Sequence, residues 1–224
     1  MRSGKEKINM SKTIAIMGES GAGKTTAMRT LNPAETFYID CDKKGLSWKG
    51  WKEQYNGEKR NYLKTSLPSE IRQSMQVAHK NESYRHIKNI VIDTINGVMI
   101  DDEMARAKEK TYDKWVDLAQ SVWDIVSEAS MLRDDLNVIF IAHSETDRDD
   151  NGYNFTRIKT NGKKLNKIVL ESKFNTVLFA KCVEGRYLFE TRAKNSTAKT
   201  PLGCFDNFEI DNDMNEVLKA LEDY

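Results

Sequence analysis

The sequence predicts an α/β domain whose central sheet is mostly parallel and is flanked by helices. Three observations support that class: short apolar runs alternate with amphipathic segments, a glycine-rich loop joins the first run to a helix, and two late runs indicate a β-hairpin. A chain of 224 residues with 39% hydrophobic residues can bury one core of this kind. We therefore expect a single domain over residues 11–224, after an N-terminal extension at residues 1–10.

Four short apolar runs predict buried strands, because each is rich in branched aliphatic residues and is bounded by polar residues or glycine. They cover residues 12–17, 37–40, 89–93 and 137–142. Helices are predicted where apolar residues recur at three- and four-residue spacing or where capping residues occur. They cover residues 24–31, 67–80, most of 95–132, and 213–221. Runs at residues 175–181 and 186–192 predict the late hairpin, which turns at Glu184 and Gly185.

The composition excludes several classes of function. Acidic and basic residues nearly cancel to a net charge of +1, so a global basic field for nucleic acid is absent. Cys41, Cys182 and Cys204 form no CxxC pair, which argues against a zinc knuckle or a disulfide framework. We expect them to be reduced and mostly buried, as in a cytosolic protein. No apolar run approaches the ~18 residues of a membrane span, so no membrane association is expected.

A glycine-rich loop between the first predicted strand and the first predicted helix matches the pattern GxxxxGK[ST] in full. Its residues are Gly18, Glu19, Ser20, Gly21, Ala22, Gly23, Lys24 and Thr25, with Thr26 next in the helix. Backbone N–H groups of such a loop, with the helix N-terminus, bind phosphate oxygens. Lys24 would reach the β and γ phosphates, and the Thr25 hydroxyl would ligate magnesium. The loop therefore predicts binding of a nucleoside triphosphate together with Mg2+.

Polar residues follow the predicted strands at the edge where the phosphate loop lies. Asp93 ends the third strand and is the expected second magnesium contact. Asp40 and Asp42 follow the second strand; either could orient an attacking water, and the other could satisfy the turn. His143 ends the fourth strand, where it could sense the γ phosphate or act as an ordinary hydrogen-bonded strand-end histidine.

The order of these parts resembles the core of RecA-type recombinases, and most closely the minimal RecA-like ATPases of phages that act in single-strand annealing. The resemblance spans about residues 11–205, and the phosphate loop is its most specific part. It implies a RecA-like P-loop NTPase core that hydrolyses ATP, forms homo-oligomers and acts on single-stranded DNA in recombination, with a replication or recombination partner protein. Such a protein would be cytoplasmic, in the bacterial host cytosol if the chain is phage-encoded.

Two catalytic assignments depend on this resemblance. The place of the family's catalytic glutamate falls on Asp42, whose side chain is shorter by one methylene, so slow hydrolysis is expected. Residues 190–201 are similar to the family's late strand, whose lysines reach the nucleotide of the neighbouring subunit. Lys194 is the best positional match and Lys199 a looser one, and both could equally be solvated surface lysines.

Residues 144–173 are polar, and we predict that they form a long mobile loop after the fourth strand. RecA-like proteins place a DNA-binding loop at this position. Residues 157–173 carry six basic residues and one acidic residue. The candidate DNA contacts are Arg157, Lys159, Lys163, Lys164 and Lys167, with Tyr153 and Phe155 near enough to stack on bases. The alternative is a solvated charged loop.

Two other functions remain open. One is a small nucleotide or metabolite kinase, although the sequence has no clear Arg-x-x-Arg lid. The other is a non-hydrolysing nucleotide switch or a loader for a replication partner, which the short carboxylate of Asp42 would suit. No Asn-Lys-x-Asp motif is present, which disfavours GTP as the nucleotide.

Overall fold

The computed structural model of the protein describes residues 10–111, 113–161, 169–222 and 224. Within that part of the chain, nine strands are connected by hydrogen bonding into one sheet. The strands are β1 (Lys12–Gly18), β2 (Thr36–Asp40), β3 (Tyr62–Lys64), β4 (Asn89–Asp93), β5 (Asn137–Arg148), β6 (Asn154–Ile158), β7 (Thr176–Val183), β8 (Arg186–Glu190) and β9 (Glu209–Asp211). The α-helices are α1 (Trp51–Gln54), α2 (Pro68–Lys80), α3 (Ile95–Ala105), α4 (Asp113–Ala129) and α5 (Met214–Ala220). Short 3-10 helices cover Thr26–Thr30, Glu82–Tyr84 and Leu170–Lys173.

The sheet order is β3-β2-β4-β5-β1-β7-β8-β9, with β6 paired to the outer part of β5. The strands from β3 to β7 in that order are parallel, whereas β8, β9 and β6 are antiparallel to their partners. The α/β class, the mostly parallel sheet and the late hairpin are therefore confirmed. Gly18 lies opposite His143 in the register, and Asp40 lies opposite Asp93. The predicted site residues thus meet at one edge of the sheet, where parallel strands end.

Both faces of the sheet are covered, as the continuous apolar runs require. Along β1, Ala15 and Met17 face one cluster of buried residues, and Ile14 and Ile16 face the other. Helices α2, α3 and α4 cover the first face; the 3-10 helix Thr26–Thr30 and α5 cover the second. Among the described residues, no helix is long and apolar enough to cross a membrane.

Two predicted elements differ from the observed ones. The predicted helix at residues 24–31 is a short 3-10 helix, whereas the stretch predicted to be mostly helical at 95–132 is present as α3 and α4. The loop predicted at residues 144–173 was wrong for its first half, because β5 continues to Arg148 and pairs with β6. This ribbon lies beyond the buried part of the sheet, so its residues lack the apolar alternation that reveals a strand.

Residues 43–62 contribute to an aromatic cluster that packs against β2. Tyr38 contacts Tyr55 edge to face at a ring-centroid distance of 5.5 Å, and Trp48 contacts Tyr55 at 6.0 Å. Tyr38 and Tyr55 are buried, so these rings form part of the second core cluster. Packing of this kind stabilises the segment that leads from the Asp40 turn back to β3.

The three cysteines are free thiols, in line with the absence of a disulfide framework in the sequence. Cys41 is buried and Cys204 is partly buried. Cys182 is exposed on β7, so the expectation of mostly buried cysteines was wrong at that position. It lies towards the end of the late hairpin, where the sheet no longer has a covering layer.

The predicted N-cap at Asp213 is present, and it offers a test of the fold. The Asp213 carboxylate accepts hydrogen bonds from the backbone N–H groups of Asn215 and Glu216, which begin α5. We expect Asp213→Ala to lower the free energy of unfolding by about 1 kcal/mol, since two N–H groups lose their acceptor. Urea denaturation followed by circular dichroism would measure this. Asp213→Asn keeps an acceptor oxygen and should remain near wild type; equal losses in both variants would contradict the capping role.

Candidate nucleotide-binding site

The phosphate loop follows β1 directly, and its backbone conformation depends on glycine. Gly21 and Gly23 have φ angles of 82° and 86°, in the left-handed region that side chains disfavour. A Cβ atom on Gly18 would lie 2.7 Å from the carbonyl oxygen of Ala180 in β7. Glycine at these positions lets the loop turn tightly beside the sheet, with its N–H groups at the start of the following helix.

Lys24 lies across the loop with its side chain buried, at 6% relative exposure. Its Nζ donates to the carbonyl oxygens of Gly18 at 2.8 Å and Glu19 at 2.7 Å. Burial lowers the pKa of Lys24 to about 8, although the nearby carboxylate of Asp93 opposes that change. A buried lysine of this kind gains more free energy from contact with a phosphate than a solvated lysine does. The reason is that its ammonium group has already lost its water in the folded protein.

The Asp93 carboxylate connects the phosphate loop to β2. Its Oδ2 accepts hydrogen bonds from the Thr25 hydroxyl at 2.8 Å and the Tyr38 hydroxyl at 2.6 Å. Burial raises the pKa of Asp93, while the hydrogen bonds from Tyr38 and Thr25 oppose that rise. Oδ1 is buried and has no hydrogen-bond partner among the described residues.

These groups fit the magnesium site predicted at Thr25 and Asp93. A hydroxyl and a carboxylate lie side by side, and the carboxylate has an oxygen without a partner in the described part of the chain. Within that part, no cluster of three or more His, Cys, Asp or Glu residues could hold a metal ion. This matches magnesium, which commonly takes one or two protein ligands and completes its shell with phosphate oxygens and water.

The two acidic residues after β2 have different surroundings. Asp40 is buried, and its Oδ2 accepts from the Gly45 N–H at 2.8 Å and the Tyr62 hydroxyl at 2.6 Å. It therefore fixes the turn. Asp42 has a side chain that is 17% exposed; its Oδ1 accepts from the Thr94 hydroxyl at 2.8 Å, and its Oδ2 lies 2.5 Å from Lys44 Nζ. Of the two acids, Asp42 is the one whose hydrogen-bond and ion-pair partners, Thr94 and Lys44, face the phosphate loop.

Gly97 in the first turn of α3 is needed for this position of Asp42. A Cβ atom there would lie 2.6 Å from Asp42 Oδ1 and 2.9 Å from the Cys41 carbonyl oxygen. The side chain of Thr94 caps the same turn by accepting from the Gly97 N–H. Glycine at position 97 therefore lets the start of α3 approach the acidic turn more closely than any other residue type at this position would allow.

A cleft of about 350 Å³ lies over the phosphate loop. It is lined by Ser20, Gly21, Gly23, Lys24, Thr25, Thr26, Lys44, Ser47, Thr94, His143 and Tyr187. Lys44 and Tyr187 were not identified from the sequence. Lys44 could have been found from its place two residues after Asp42, but Tyr187 belongs to β8, and nothing in its local sequence indicates proximity to the loop.

His143 lines the same cleft, at the end of the buried part of β5. Burial lowers its pKa, and the positive charges of Lys24 and Lys44 act in the same direction. Its backbone N–H donates to Asn96 Oδ1 at 2.7 Å, and its carbonyl oxygen accepts from the Lys159 N–H at 2.8 Å. The lowered pKa favours the neutral imidazole, and the backbone of His143 is held between α3 and the segment after β6.

The remaining candidate residues lie away from the cleft or outside the described residues. Lys194 is exposed and does not line the cleft; Lys199 is also exposed. Arg157 forms ion pairs across the ribbon with Glu145 at 3.1 Å and Asp147 at 3.0 Å. The Lys159 side chain is exposed. Three further predicted DNA contacts lie outside the described residues: Lys163, Lys164 and Lys167.

Comparison with known proteins assigns a family. The family described as AAA domain matches residues 10–202, so the chain belongs to that family. No curated protein matches the sequence. Among solved structures, the chain is similar to flagellar accessory protein FlaH from Methanocaldococcus jannaschii, with 13% sequence identity, coverage of 83% of this chain and 78% of that chain, and a TM-score of 0.39. The family and the phosphate loop identify a P-loop ATPase domain, and its α/β sheet is mostly parallel.

The pKa of Lys24, about 8, predicts that triphosphate affinity depends on pH. A bound triphosphate raises that pKa, because negative charge favours the ammonium form, so binding above pH 8 takes up a proton. We expect affinity to be constant below about pH 7.5 and to fall towards about tenfold per pH unit above about pH 8.5. Titration calorimetry of ATP with Mg2+, in buffers of different ionisation enthalpy, would measure the uptake. Absence of proton uptake at pH 9 would contradict the prediction.

Proposed function

We propose that this member of the AAA domain family binds ATP with magnesium and hydrolyses it, with Asp42 orienting the attacking water. One observation carries the proposal: the two side chains bonded to Asp42, those of Thr94 and Lys44, both line the cleft over the phosphate loop. A carboxylate held in this way lies beside the place where a γ phosphate would end. Positioning of a water by such a group is a general requirement of phosphoryl transfer to water.

The other residues have roles that follow from their contacts. The N–H groups of the loop and the ammonium of Lys24 would bind the phosphate oxygens. Thr25 and Asp93 would hold magnesium, which supplies positive charge against the phosphate oxygens when bound. Neutral His143 would donate or accept a hydrogen bond at the γ end of the cleft, because burial keeps its pKa below the ordinary value.

Lys44 forms an ion pair with the proposed catalytic acid, Asp42. Burial lowers the pKa of Lys44, but the hydrogen bond and the charge of Asp42 outweigh that effect and the pKa is raised. A γ phosphate in the cleft would compete with Asp42 for the Lys44 ammonium, since both are anions. The carboxylate would then be free to accept a proton from water, and hydrolysis would require the triphosphate to be in place first.

The finer proposal is that ATP binding is coupled to single-stranded DNA in recombination or annealing. Asn96 supports the coupling: its amide accepts from the His143 N–H at 2.7 Å and donates to the Lys159 carbonyl oxygen at 2.8 Å. A change at His143 would therefore be transmitted to the start of the lysine-rich segment at residues 159–173. The proposal also includes homo-oligomers, in which the exposed Lys194 acts on the nucleotide of a neighbouring subunit. It further includes a replication or recombination partner protein.

Asp42→Asn tests the catalytic assignment. The variant keeps the shape and the acceptor for Thr94 but removes the charge, so we expect kcat for ATP hydrolysis to fall by about 100- to 10,000-fold, with ATP affinity nearly unchanged. Steady-state phosphate release and equilibrium ATP binding would be measured on the same samples. Glu82→Gln, an exposed carboxylate before the amino end of β4, is the matched control and should hydrolyse ATP at the wild-type rate.

The result also separates the alternatives. Wild-type protein that binds ATP but does not turn it over would favour the nucleotide switch or the loader. Transfer of the γ phosphate to a small acceptor would favour the kinase. An Asp42→Asn variant with wild-type kcat would refute the role proposed for Asp42 while leaving nucleotide binding intact.

The DNA proposal predicts that single-stranded DNA stimulates ATP hydrolysis and that ATP raises affinity for DNA. Both effects should weaken steeply as salt increases, because lysine contacts to phosphates release counterions. Fluorescence anisotropy of a labelled oligonucleotide, with ATP and with ADP, would measure the coupling, with Lys24→Ala as the matched variant that lacks the phosphate contact. Equal affinity for DNA with either nucleotide would contradict the coupling through Asn96 and His143.

A further inference from the structure

A second cavity adjoins the phosphate cleft on the side of the late hairpin. It has a volume of about 550 Å³ and shares Thr26 and Tyr187 with the cleft. Its other lining residues are Arg29, Arg186, Asp211, Asn212 and Asp213. Thr26 follows the magnesium ligand Thr25 along the chain, so a nucleotide whose triphosphate end lies at Lys24 would extend past Thr26 into this cavity.

Asn212 carries an unusual side chain for such a position. The residue is 4% exposed, and both amide atoms, Nδ2 and Oδ1, are buried and lack hydrogen-bond partners among the described residues. Its backbone is fixed, because its N–H donates to the Tyr187 carbonyl oxygen at 3.2 Å and its carbonyl oxygen accepts from Arg29 Nη1 at 3.1 Å. A buried amide without partners is costly, so a ligand that pairs with it gains free energy.

The aromatic ring of Tyr187 lies at the same place. A Cβ atom on Gly23 would meet Tyr187 Cδ1 at 2.7 Å and Asn212 Nδ2 at 3.4 Å, so the ring and the amide both lie against the phosphate loop. Tyr187 is 46% exposed, which leaves its ring free to turn towards solvent. The phosphate loop thus has an aromatic ring beside Gly23, together with an amide that lacks partners among the described residues.

We propose that this cavity binds the base of the nucleotide and selects adenine, with the Tyr187 ring stacking on the face of the base and the Asn212 amide pairing with its edge. The inference rests on the proposed nucleotide binding and extends it to recognition of the base. Because both amide atoms are covered, entry of the base moves the Tyr187 ring off Gly23 and onto the base.

The pairing of Asn212 favours adenine for a chemical reason. An asparagine amide offers one donor group and one acceptor, and adenine offers the complementary pair: its N6 amino group donates and its N7 accepts. The corresponding edge of guanine has two acceptors, O6 and N7.

Binding of ATP, GTP and inorganic tripolyphosphate, each with Mg2+, to the full chain would test the inference by calorimetry. In the wild type, we expect ATP to bind about tenfold or more tightly than tripolyphosphate and GTP. Tyr187→Ala and Asn212→Ala should each weaken ATP binding by about tenfold and leave tripolyphosphate within about twofold, while Tyr187→Phe should bind ATP normally because the ring is kept. Tyr224→Ala, at an exposed tyrosine that lines neither the phosphate cleft nor the second cavity, is the matched control and should change nothing.

The outcomes distinguish the two proposals. A wild type that binds neither ATP nor tripolyphosphate refutes the proposed function itself. ATP binding no tighter than tripolyphosphate, or ATP affinity unaffected by both variants, overturns the base site while the phosphate site stands. GTP binding as tight as ATP overturns the selection of adenine. These comparisons in the wild type need no variant, and tripolyphosphate binding reports whether each variant keeps an intact loop.

Discussion

The buried carboxylate of Asp93 is the interaction on which the rest of the site depends. Its side chain accepts hydrogen bonds from Thr25 of the phosphate loop and from Tyr38 of β2. Its backbone carbonyl accepts from the N–H groups of Cys41, at 2.7 Å, and Asp42, at 3.4 Å. One residue therefore fixes the phosphate loop, the neighbouring strand and the acidic turn relative to one another. Such a buried acid is tolerated because its hydrogen bonds oppose the cost of removing its charge from water.

Burial shifts the pKa values of the charged and titratable side chains around Asp93. Burial lowers the pKa of Lys24 and of His143, and it raises the pKa of Asp93. Each shift reflects the cost of keeping an ion away from water, and each would be reduced by a ligand that brings the opposite charge. The net charge of the whole chain, +1, says nothing about this local arrangement. Binding of an anion together with a cation would therefore stabilise the charged forms of these side chains.

The two sides of the cleft serve different parts of the proposed chemistry. On one side, Asn96 joins His143 to the segment that begins at Lys159, which gives the γ phosphate end a connection to the lysine-rich residues. On the other side, Tyr187 and Asn212 lie against the loop at the end where a base would extend. The phosphate loop lies between them, so a single nucleotide would contact both. Coupling and base selection would then depend on the same binding event.

The sequence by itself determined the parallel strands, the phosphate loop and the positions of Thr25 and Asp93, because these depend on local patterns: apolar runs, glycine spacing and residues at strand ends. The residue pattern left Asp40 and Asp42 as alternatives, and only the tertiary structure shows that Asp40 bonds to Tyr62 whereas Asp42 bonds to Thr94. The β5–β6 ribbon was missed, since its residues are mostly polar and show no apolar alternation. Tyr187 and Asn212 could not be found either, because they reach the loop through pairing of distant strands, and only the folded sheet brings them there.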